Sequence, residues 1–304
     1  MAPEETIATV RYQRRTERRT VRTSYRVMER DTWLLEALCR LRFLTTTQLL
    51  RLRFGASRSA INKRLRRLFD EGLVRVWVRC LESDNVYSLT VAGRAVLATD
   101  RGACSLPRGL DRDLDHTLAI NDVRIALAAT LPALGAELLS WLSDCDLRPH
   151  RSARLVPDAR FTIRWSNGSE TSFYLEVDRN TRSAAALQRK LIAYRAMTYR
   201  HIDSCGFGND VILVVAHHPA WLARYRVHAA HSALSLPVWF ATLADVVAHG
   251  ATSDIWCKAS DEQAHSLAVL ADLQNGSEGP APEAAALTGA SARSSARVPR
   301  PETA

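Results

Sequence analysis

Apolar side chains recur every three or four residues in three successive stretches between positions 31 and 72, which is the spacing of amphipathic helices. A polar capping residue precedes each stretch, namely Asp31, a threonine of the run 45–47, and Ser57. Glycine follows the second stretch at Gly55 and the third at Gly72, where helices commonly end. Three helices are therefore predicted in this region.

The pattern then changes to that of strands. Residues 73–79 are predicted to form one strand, the polar residues 82–85 a turn, and the segment through Tyr87 and Leu89 a second strand. Thr90 is predicted to cap a short helix that reaches Ala98. Two short helices, a longer helix and a hairpin in this order are typical of a winged helix-turn-helix. We therefore predict such a domain over residues 31–105.

Residues 111–260 alternate between helical and strand patterns, which predicts an α/β or α+β sandwich. A helix is predicted over 114–131, ended by Pro132. Strands are predicted at 136–141, 159–165, 172–177, 211–216 and 238–242, and further helices at 183–199 and 221–233. The fold class predicted for the whole chain is α+β.

Both ends of the chain have biased compositions. Residues 1–30 contain eight arginines from Arg11 to Arg30 with no apolar periodicity, which predicts a flexible basic arm that grips phosphates. A merely solvated tail is the alternative. Residues 275–304 are rich in Ala, Pro, Gly and Ser and have few large apolar residues, so a disordered tail is predicted there.

Charge narrows the class of partner. The 304 residues include 41 Lys and Arg against 32 Asp and Glu, a net charge of +9, and only three of the basic residues are lysines. This excess favours a polyanionic partner. The six cysteines are far apart and form no CxxC pair, which argues against a zinc ribbon or a disulfide framework.

The sequence also argues against a membrane protein and against a secreted one. No stretch approaches the roughly 18 consecutive apolar residues of a membrane helix. The N-terminus is polar and basic and has no apolar signal core. We therefore expect a soluble cytoplasmic protein that has no membrane partner.

The third predicted helix has a polar and basic face opposite its apolar stripe, as a helix in the major groove of double-stranded DNA requires. Asn62, Lys63 and Arg66 are the candidates for contacts with base edges or the groove. The other candidates for DNA contact on this helix are Ser59, on the same face, and Arg58 and Arg67 at its edges. In the hairpin, Arg75 and Arg79 are candidates for phosphate or minor-groove contacts. A packing module with a solvated charged face is the alternative.

Acidic residues in the second half form a candidate catalytic site. Asp158 begins a predicted strand, Glu176 and Asp178 end the next one eighteen residues later, and Lys190 lies on the following helix. Mg²⁺ prefers such oxygen ligands, so Asp158, Glu176 and Asp178 are the candidate metal ligands. Lys190 would orient the attacking water and neutralise charge on the scissile phosphate. The alternative is that Asp158 only begins a strand and that Glu176 and Asp178 belong to a solvated cluster of ion pairs with no catalytic role.

This arrangement resembles that of PD-(D/E)xK phosphodiesterases, with one departure. Asp178 stands where the lysine of that pattern usually lies, two residues after the glutamate. Activity would therefore require Lys190 to act as a migrated lysine, or Asp178 to act as a third ligand. Mg²⁺ is an expected cofactor only if the domain is catalytic.

Other polar residues in the second half are interpreted as structural and not as catalytic. His116 and Asn121 are interpreted as structural hydrogen-bonding residues and Tyr194 as a core residue. His217 and His218 are adjacent, so on a strand they would point to opposite sides, which argues against a paired metal site.

Three short strings are similar to those of the bacterial replication-relaxation family. They are HTLAIND from His116, PDA from Pro157, and LEVDR from Leu175, followed by Lys190 and Tyr194. The resemblance covers about residues 31–245. It implies a DNA-binding protein of a plasmid or mobile element that acts in replication and DNA relaxation. It also implies that the second half is a restriction-endonuclease-like domain of divergent catalysis.

The expected partners are double-stranded DNA, plasmid replication or mobilisation proteins, and a second copy of the chain. A Mg²⁺-dependent DNA nickase or endonuclease, and a transcriptional repressor of the element, are the alternative functions.

Overall fold

The computed structural model describes residues 16–19, 25–53, 55, 57–80, 82–97, 106–107, 114–147, 155–178, 185–186, 188–194, 210–231, 237–259, 261 and 263–271. The predicted tail lies outside the described residues. So does the predicted arm, except for residues 16–19 and 25–30.

From Tyr25 to Leu97, the described residues of the first half form four helices and a small sheet. Its elements are α1 (Glu29–Leu41), β1 (Phe43–Thr45), α2 (Thr46–Arg51), α3 (Arg58–Asp70), β2 (Val74–Trp77), β3 (Val86–Leu89) and α4 (Val91–Val96). The three strands form an antiparallel sheet in the order β1-β3-β2. The helices and the hairpin occupy the predicted positions, whereas β1 was not predicted.

Side-chain caps fix where three of these helices begin. Thr45 accepts a hydrogen bond from the Gln48 amide at 3.1 Å, and Thr90 accepts one from the Gly93 amide at 3.0 Å. Ser57 caps α3 in the same way. These three capping predictions are confirmed, because hydroxyl oxygens satisfy amides that the first turn leaves without a carbonyl partner.

The predicted cap at Asp31 is wrong. Helix α1 begins at Glu29, with Met28 as the N-cap. Asp31 is fully buried inside the first turn, where it accepts hydrogen bonds from the Met28 amide at 2.8 Å and the Tyr25 hydroxyl at 2.6 Å. It also pairs with Arg64 of α3. Asp31 therefore ties the first turn of α1 to α3.

The second half is built on a seven-stranded sheet in the order β10-β9-β8-β7-β6-β5-β4. Its strands are β4 (Glu137–Ser143), β5 (Ala159–Arg164), β6 (Glu170–Asp178), β7 (Val211–Ala216), β8 (Val238–Thr242), β9 (Trp256–Lys258) and β10 (Ala264–His265). Strands β6, β7 and β8 are parallel to one another, and the other neighbouring pairs are antiparallel. The strands β9 and β10 were not predicted.

Helices cover both faces of this sheet. They are α5 (Leu114–Thr130), followed by a 3-10 turn (Leu131–Leu134), then α6 (Asp144–Leu147), α7 (188–194), α8 (Pro219–His231) and α9 (Leu243–His249). Leu175 and Val177 of β6 pack with α5 in one core, whereas Tyr174 packs with α7 and α8 in another. Mixed helices and sheets in this arrangement confirm the α+β fold class.

Helix α5 is shared by the two halves. Val123 and Leu127 lie in the core beneath the seven-stranded sheet, and Ile125 lies in the core of the first half. Within the described residues, Leu114–Leu134 is the one helical segment long and apolar enough to cross a membrane, with a mean hydropathy of 1.3. Its apolar character is explained by these contacts with two cores.

Candidate functional site

The candidate site lies where β5 begins and β6 ends. Ala159 pairs with Leu175 in the antiparallel register, so the preceding residue, Asp158, lies opposite Glu176. The Asp158 carboxylate also accepts a hydrogen bond from the Val177 amide at 2.8 Å. Because side chains alternate along a strand, Glu176 and Asp178 lie on the same face of β6. The three carboxylates are all buried.

Helix α7 supplies two donors to Glu176. The Tyr194 hydroxyl donates to Glu176 Oε1 at 2.7 Å, and Lys190 Nζ contacts Glu176 Oε2. Residues four apart on a helix lie on the same face, which is why both side chains reach one carboxylate. Tyr194 is a core residue, as predicted, with 1% of its surface exposed, but its hydroxyl also belongs to the site.

Helix α5 supplies a further member that the sequence reasoning placed elsewhere. His116 Nε2 lies 3.1 Å from Asp158 Oδ1. The interpretation of His116 as a hydrogen-bonding residue fits this contact, but its partner is the candidate catalytic aspartate. The signal that points to it is its place at the head of the HTLAIND string. We call His116, Asp158, Glu176, Asp178, Lys190 and Tyr194 the acidic cluster.

The cluster separates the protonation behaviour of its two opposed carboxyls. Burial and the nearby charge of Asp158 raise the pKa of Glu176 to about 7, against the opposing effects of Lys190 and Tyr194. Burial also acts to raise the pKa of Asp158, but His116, Lys190 and the Val177 amide outweigh it and lower that pKa. Burial and the Glu176 charge raise the pKa of Tyr194 well above its ordinary value.

The donor chemistry of the cluster suits a hard cation. Mg²⁺ usually takes one or two carboxylates together with waters and phosphate oxygens. Asp158 and Glu176 are the two carboxylates that would hold it. Among the described residues, no three His, Cys, Asp or Glu side chains lie where they could hold one metal ion together. The structure thus brings two of the three predicted ligands face to face, and places Asp178 beside them on β6.

The predicted DNA-contact residues of α3 form an exposed surface. Arg58, Ser59, Asn62, Lys63 and Arg67 are exposed and Arg66 is half-buried, while the apolar stripe of the helix faces the core. A cleft of about 360 Å³ separates this surface from the β2–β3 hairpin.

All three arginines on this surface have protein partners. Arg58 pairs with Asp84 of the hairpin turn and donates to the Thr47 hydroxyl at 2.7 Å. Arg66 pairs with Asp70 at 2.8 Å, and Arg67 lies over the ring of Tyr25. These contacts fix the orientation of the guanidinium groups.

Two other side chains of this surface, Asn62 and Lys63, form no ion pair with a described residue. Asn62 accepts a hydrogen bond from the Thr46 hydroxyl at 3.0 Å. Lys63 has no ion pair with any described residue. Asn62 and Lys63 are therefore the predicted base contacts whose side chains are least engaged in charge pairs.

The two arginines predicted in the hairpin have different surroundings. Arg75 is exposed and lies over the Trp77 ring, 5.2 Å from its centroid. Arg79 lies beyond β2, where its guanidinium pairs with Asp115 of α5 at 2.5 Å. Arg79 is thus directed towards the contact between the two halves.

The two adjacent histidines make separate contacts at the end of β7. The His217 amide donates to the Asp178 carbonyl at 2.9 Å, and His218 Nδ1 accepts from the Ala220 amide at 3.1 Å. His218 therefore contacts the first turn of α8.

An α+β protein with an exposed basic helix and a buried acidic cluster is the class that the fold and the site define. A model of the replication-relaxation family matches residues 35–211, which is more than half of the chain and includes Asp158, Glu176 and Lys190. The chain belongs to the replication-relaxation family. No curated protein and no solved structure matches it.

Proposed function

We propose that this chain is a cytoplasmic DNA-binding protein that acts in the replication or relaxation of a plasmid or mobile element. In this proposal the first half is a winged helix-turn-helix whose α3 enters the major groove of double-stranded DNA. The second half is a nuclease-like domain of divergent catalysis. Family membership indicates the role in replication or relaxation.

The observation that carries the proposal is the composition of α3. Its thirteen residues contain five basic side chains and one acidic one. Ser59, Asn62 and Lys63 lie at helical spacing on its exposed side, and the opposite stripe is buried. A helix that presents donors and acceptors on a cationic surface is what reading a major groove requires.

The basic segment before α1 reinforces this surface. Arg18 lies over the Phe69 ring, 5.4 Å from its centroid, and the Arg19 amide donates to Asp70 at 3.0 Å. The described part of the predicted arm therefore packs against the C-terminal end of α3. Its arginines would add phosphate contacts next to the groove contacts.

The test is duplex binding by the purified chain, measured by gel shift against fragments of the element that encodes it. Asn62→Ala together with Lys63→Ala should weaken specific binding by about 10-fold or more, since a good base contact is worth about 1–3 kcal/mol. The control is Arg164→Ala, which removes an exposed arginine of β5 paired with Glu170. Failure of the wild-type chain to shift any duplex at low salt contradicts the proposal.

A second candidate function is metal-dependent cleavage of DNA, favoured by the contact of Lys190 with Glu176 opposite Asp158. When bound, Mg²⁺ would supply charge stabilisation at the phosphate. Lys190 and Tyr194 would hold the Glu176 carboxylate in place, and His116 and the Val177 amide would hold that of Asp158.

Incubation of the purified chain with supercoiled plasmid distinguishes DNA binding without cleavage from metal-dependent cleavage. The DNA-binding proposal expects no conversion to open circles, whether Mg²⁺, Mn²⁺ or EDTA is present. Conversion that requires the metal, and that Asp158→Ala and Glu176→Ala both abolish, would establish cleavage. Cutting by both variants at the wild-type rate would place the active site elsewhere.

A further inference from the structure

A second cleft, of about 480 Å³, lies where the two halves of the chain meet. We call it the junction cleft. Its polar lining consists chiefly of Thr47 and Arg51 from α2, Arg79 after β2, Asp115 and Asp122 from α5, and His217 after β7. Its volume is in the range of small-ligand sites, roughly 300–1,000 Å³, so it has room for part of one nucleic-acid strand.

The walls of the junction cleft are held in place by buried hydrogen bonds. Asn121 of α5 donates to the Leu41 carbonyl at 3.0 Å and to the Phe43 carbonyl at 2.8 Å. Gln48 of α2 donates to the Leu118 carbonyl at 2.9 Å. Both amide side chains are at least 95% buried. The cleft is therefore preformed, and binding would need little rearrangement.

Each arginine in the cleft is held by an aspartate of α5. Arg51 pairs with Asp122 at 2.6 Å, and Arg79 pairs with Asp115 at 2.5 Å. The arginine side chains are still 24% and 43% exposed. A guanidinium binds phosphate with the same planar geometry as carboxylate, so a phosphate group can add to or replace the aspartate.

The junction cleft lies between the surface of α3 and the acidic cluster. On one side, the Thr47 hydroxyl accepts a hydrogen bond from Arg58 of α3 at 2.7 Å. On the other, the His217 amide donates to the Asp178 carbonyl, and Asp115 immediately precedes His116. A strand in the cleft would therefore extend from the DNA-binding surface towards the carboxylates.

We propose that the junction cleft binds the sugar-phosphate backbone of a single DNA strand, with Arg51 and Arg79 as phosphate ligands. Leu118, Leu243 and Val247 supply an apolar wall for the sugars and bases. This inference rests on the proposed DNA-binding function and adds a second contact to it. Single-strand sites commonly combine cationic side chains with an apolar surface in this way.

The test measures the anisotropy of a short fluorescein-labelled oligo(dT) and of a labelled duplex. Arg51→Ala with Arg79→Ala should weaken oligo(dT) binding at least 10-fold and change duplex binding less than 3-fold. The slope of log affinity against log salt should fall by about 1.4, or about 0.7 for each lost phosphate contact. Asn62→Ala with Lys63→Ala should show the reverse preference.

The matched control is Asp115→Asn with Asp122→Asn, which removes the same two ion pairs but keeps the arginines. We expect this variant to bind oligo(dT) as tightly as wild type or tighter. Equal losses in the two double variants would mean that the broken junction, not phosphate binding, causes the effect, and would overturn the proposal. Unchanged oligo(dT) affinity in the arginine variant would also overturn it. If Asn62→Ala with Lys63→Ala weakens duplex binding and leaves oligo(dT) binding unchanged, as expected, the result supports the proposal that the two kinds of DNA bind at different places.

Discussion

At the scale of single residues, opposing effects of burial, charge and hydrogen bonding act on the pKa of Glu176. Glu176 is 3% exposed, lies opposite Asp158, and is contacted by Lys190 and Tyr194 from α7. Burial and repulsion favour its neutral form, whereas the two donors favour its charged form. The first pair of effects is larger, which is why its pKa is raised to about 7.

This raised pKa predicts a pH dependence of stability. Between its ordinary pKa of 4.5 and about 7, Glu176 keeps a proton in the folded chain that it loses in the unfolded chain. Stability should therefore fall as pH rises through this window, by up to about 1.4 kcal/mol per pH unit from this group. Urea unfolding at several pH values between 5 and 7 measures the slope.

Glu176→Gln isolates that contribution, because His116 and Asp158 are still present in the variant. The lowered pKa of Asp158 makes its own contribution below the ordinary value of 3.8, outside this window. The variant should lose less stability than wild type between pH 5 and pH 7. Identical slopes for the two chains would show that Glu176 does not carry the proton.

The sequence could predict the opposed pair but not the whole cluster. Asp158 lies at the start of the first strand of an antiparallel hairpin and Glu176 near the end of the second, so their spacing alone brings them together. His116 reaches Asp158 from a helix on a separate part of the chain. No local periodicity encodes that distance, because it depends on how α5 packs on the sheet.

At the scale of elements, the predictions succeeded where the period is sustained. The stripe of α3 is buried as its spacing predicts, and β7 and β8 have the predicted bounds. The strands β1, β9 and β10 are two or three residues long, too short for an alternation to be recognised. Asp31 precedes the apolar stripe of α1, so the local pattern predicts a cap there. Its ion pair with Arg64 of α3 has no signature in the local sequence.

Close packing of α4 predicts a strong effect at Gly93. A Cβ atom at this position would lie 2.0 Å from the Leu73 carbonyl oxygen and 2.8 Å from Leu89 Cδ1. Gly93→Ala should therefore destabilise the chain by about 3 kcal/mol, because the backbone at Leu73, just before β2, has to move. Thermal unfolding measures the loss.

Val91→Ala is the control for Gly93→Ala, because it changes the same short helix at a site that is 69% exposed. Its effect should stay within about 0.5 kcal/mol. If Gly93→Ala were as stable as this control, α4 would not press against the Leu73 backbone.

At the scale of the whole molecule, α5 joins the half that carries α3 to the half that carries the acidic cluster. Its middle is bonded to α1, β1 and α2, and its first turn reaches Asp158 through His116. Buried amides that bond backbone carbonyls fix one relative placement, because any shift leaves those carbonyls unsatisfied. The two halves therefore have a defined geometry in which the junction cleft is formed.

Asn121→Ala tests this joint directly, since it removes both hydrogen bonds to Leu41 and Phe43 and leaves two buried carbonyls without that donor. The expected loss is about 2–3 kcal/mol in urea unfolding followed by tryptophan fluorescence. Because the joint also shapes the junction cleft, the variant should bind oligo(dT) more weakly while the duplex contacts of α3 persist. Lys63→Ala, at an exposed position of α3, should change stability by less than about 0.5 kcal/mol. Equal stability of Asn121→Ala and wild type would mean that the halves do not depend on this amide for their placement, and that α5 holds them together by its apolar contacts alone.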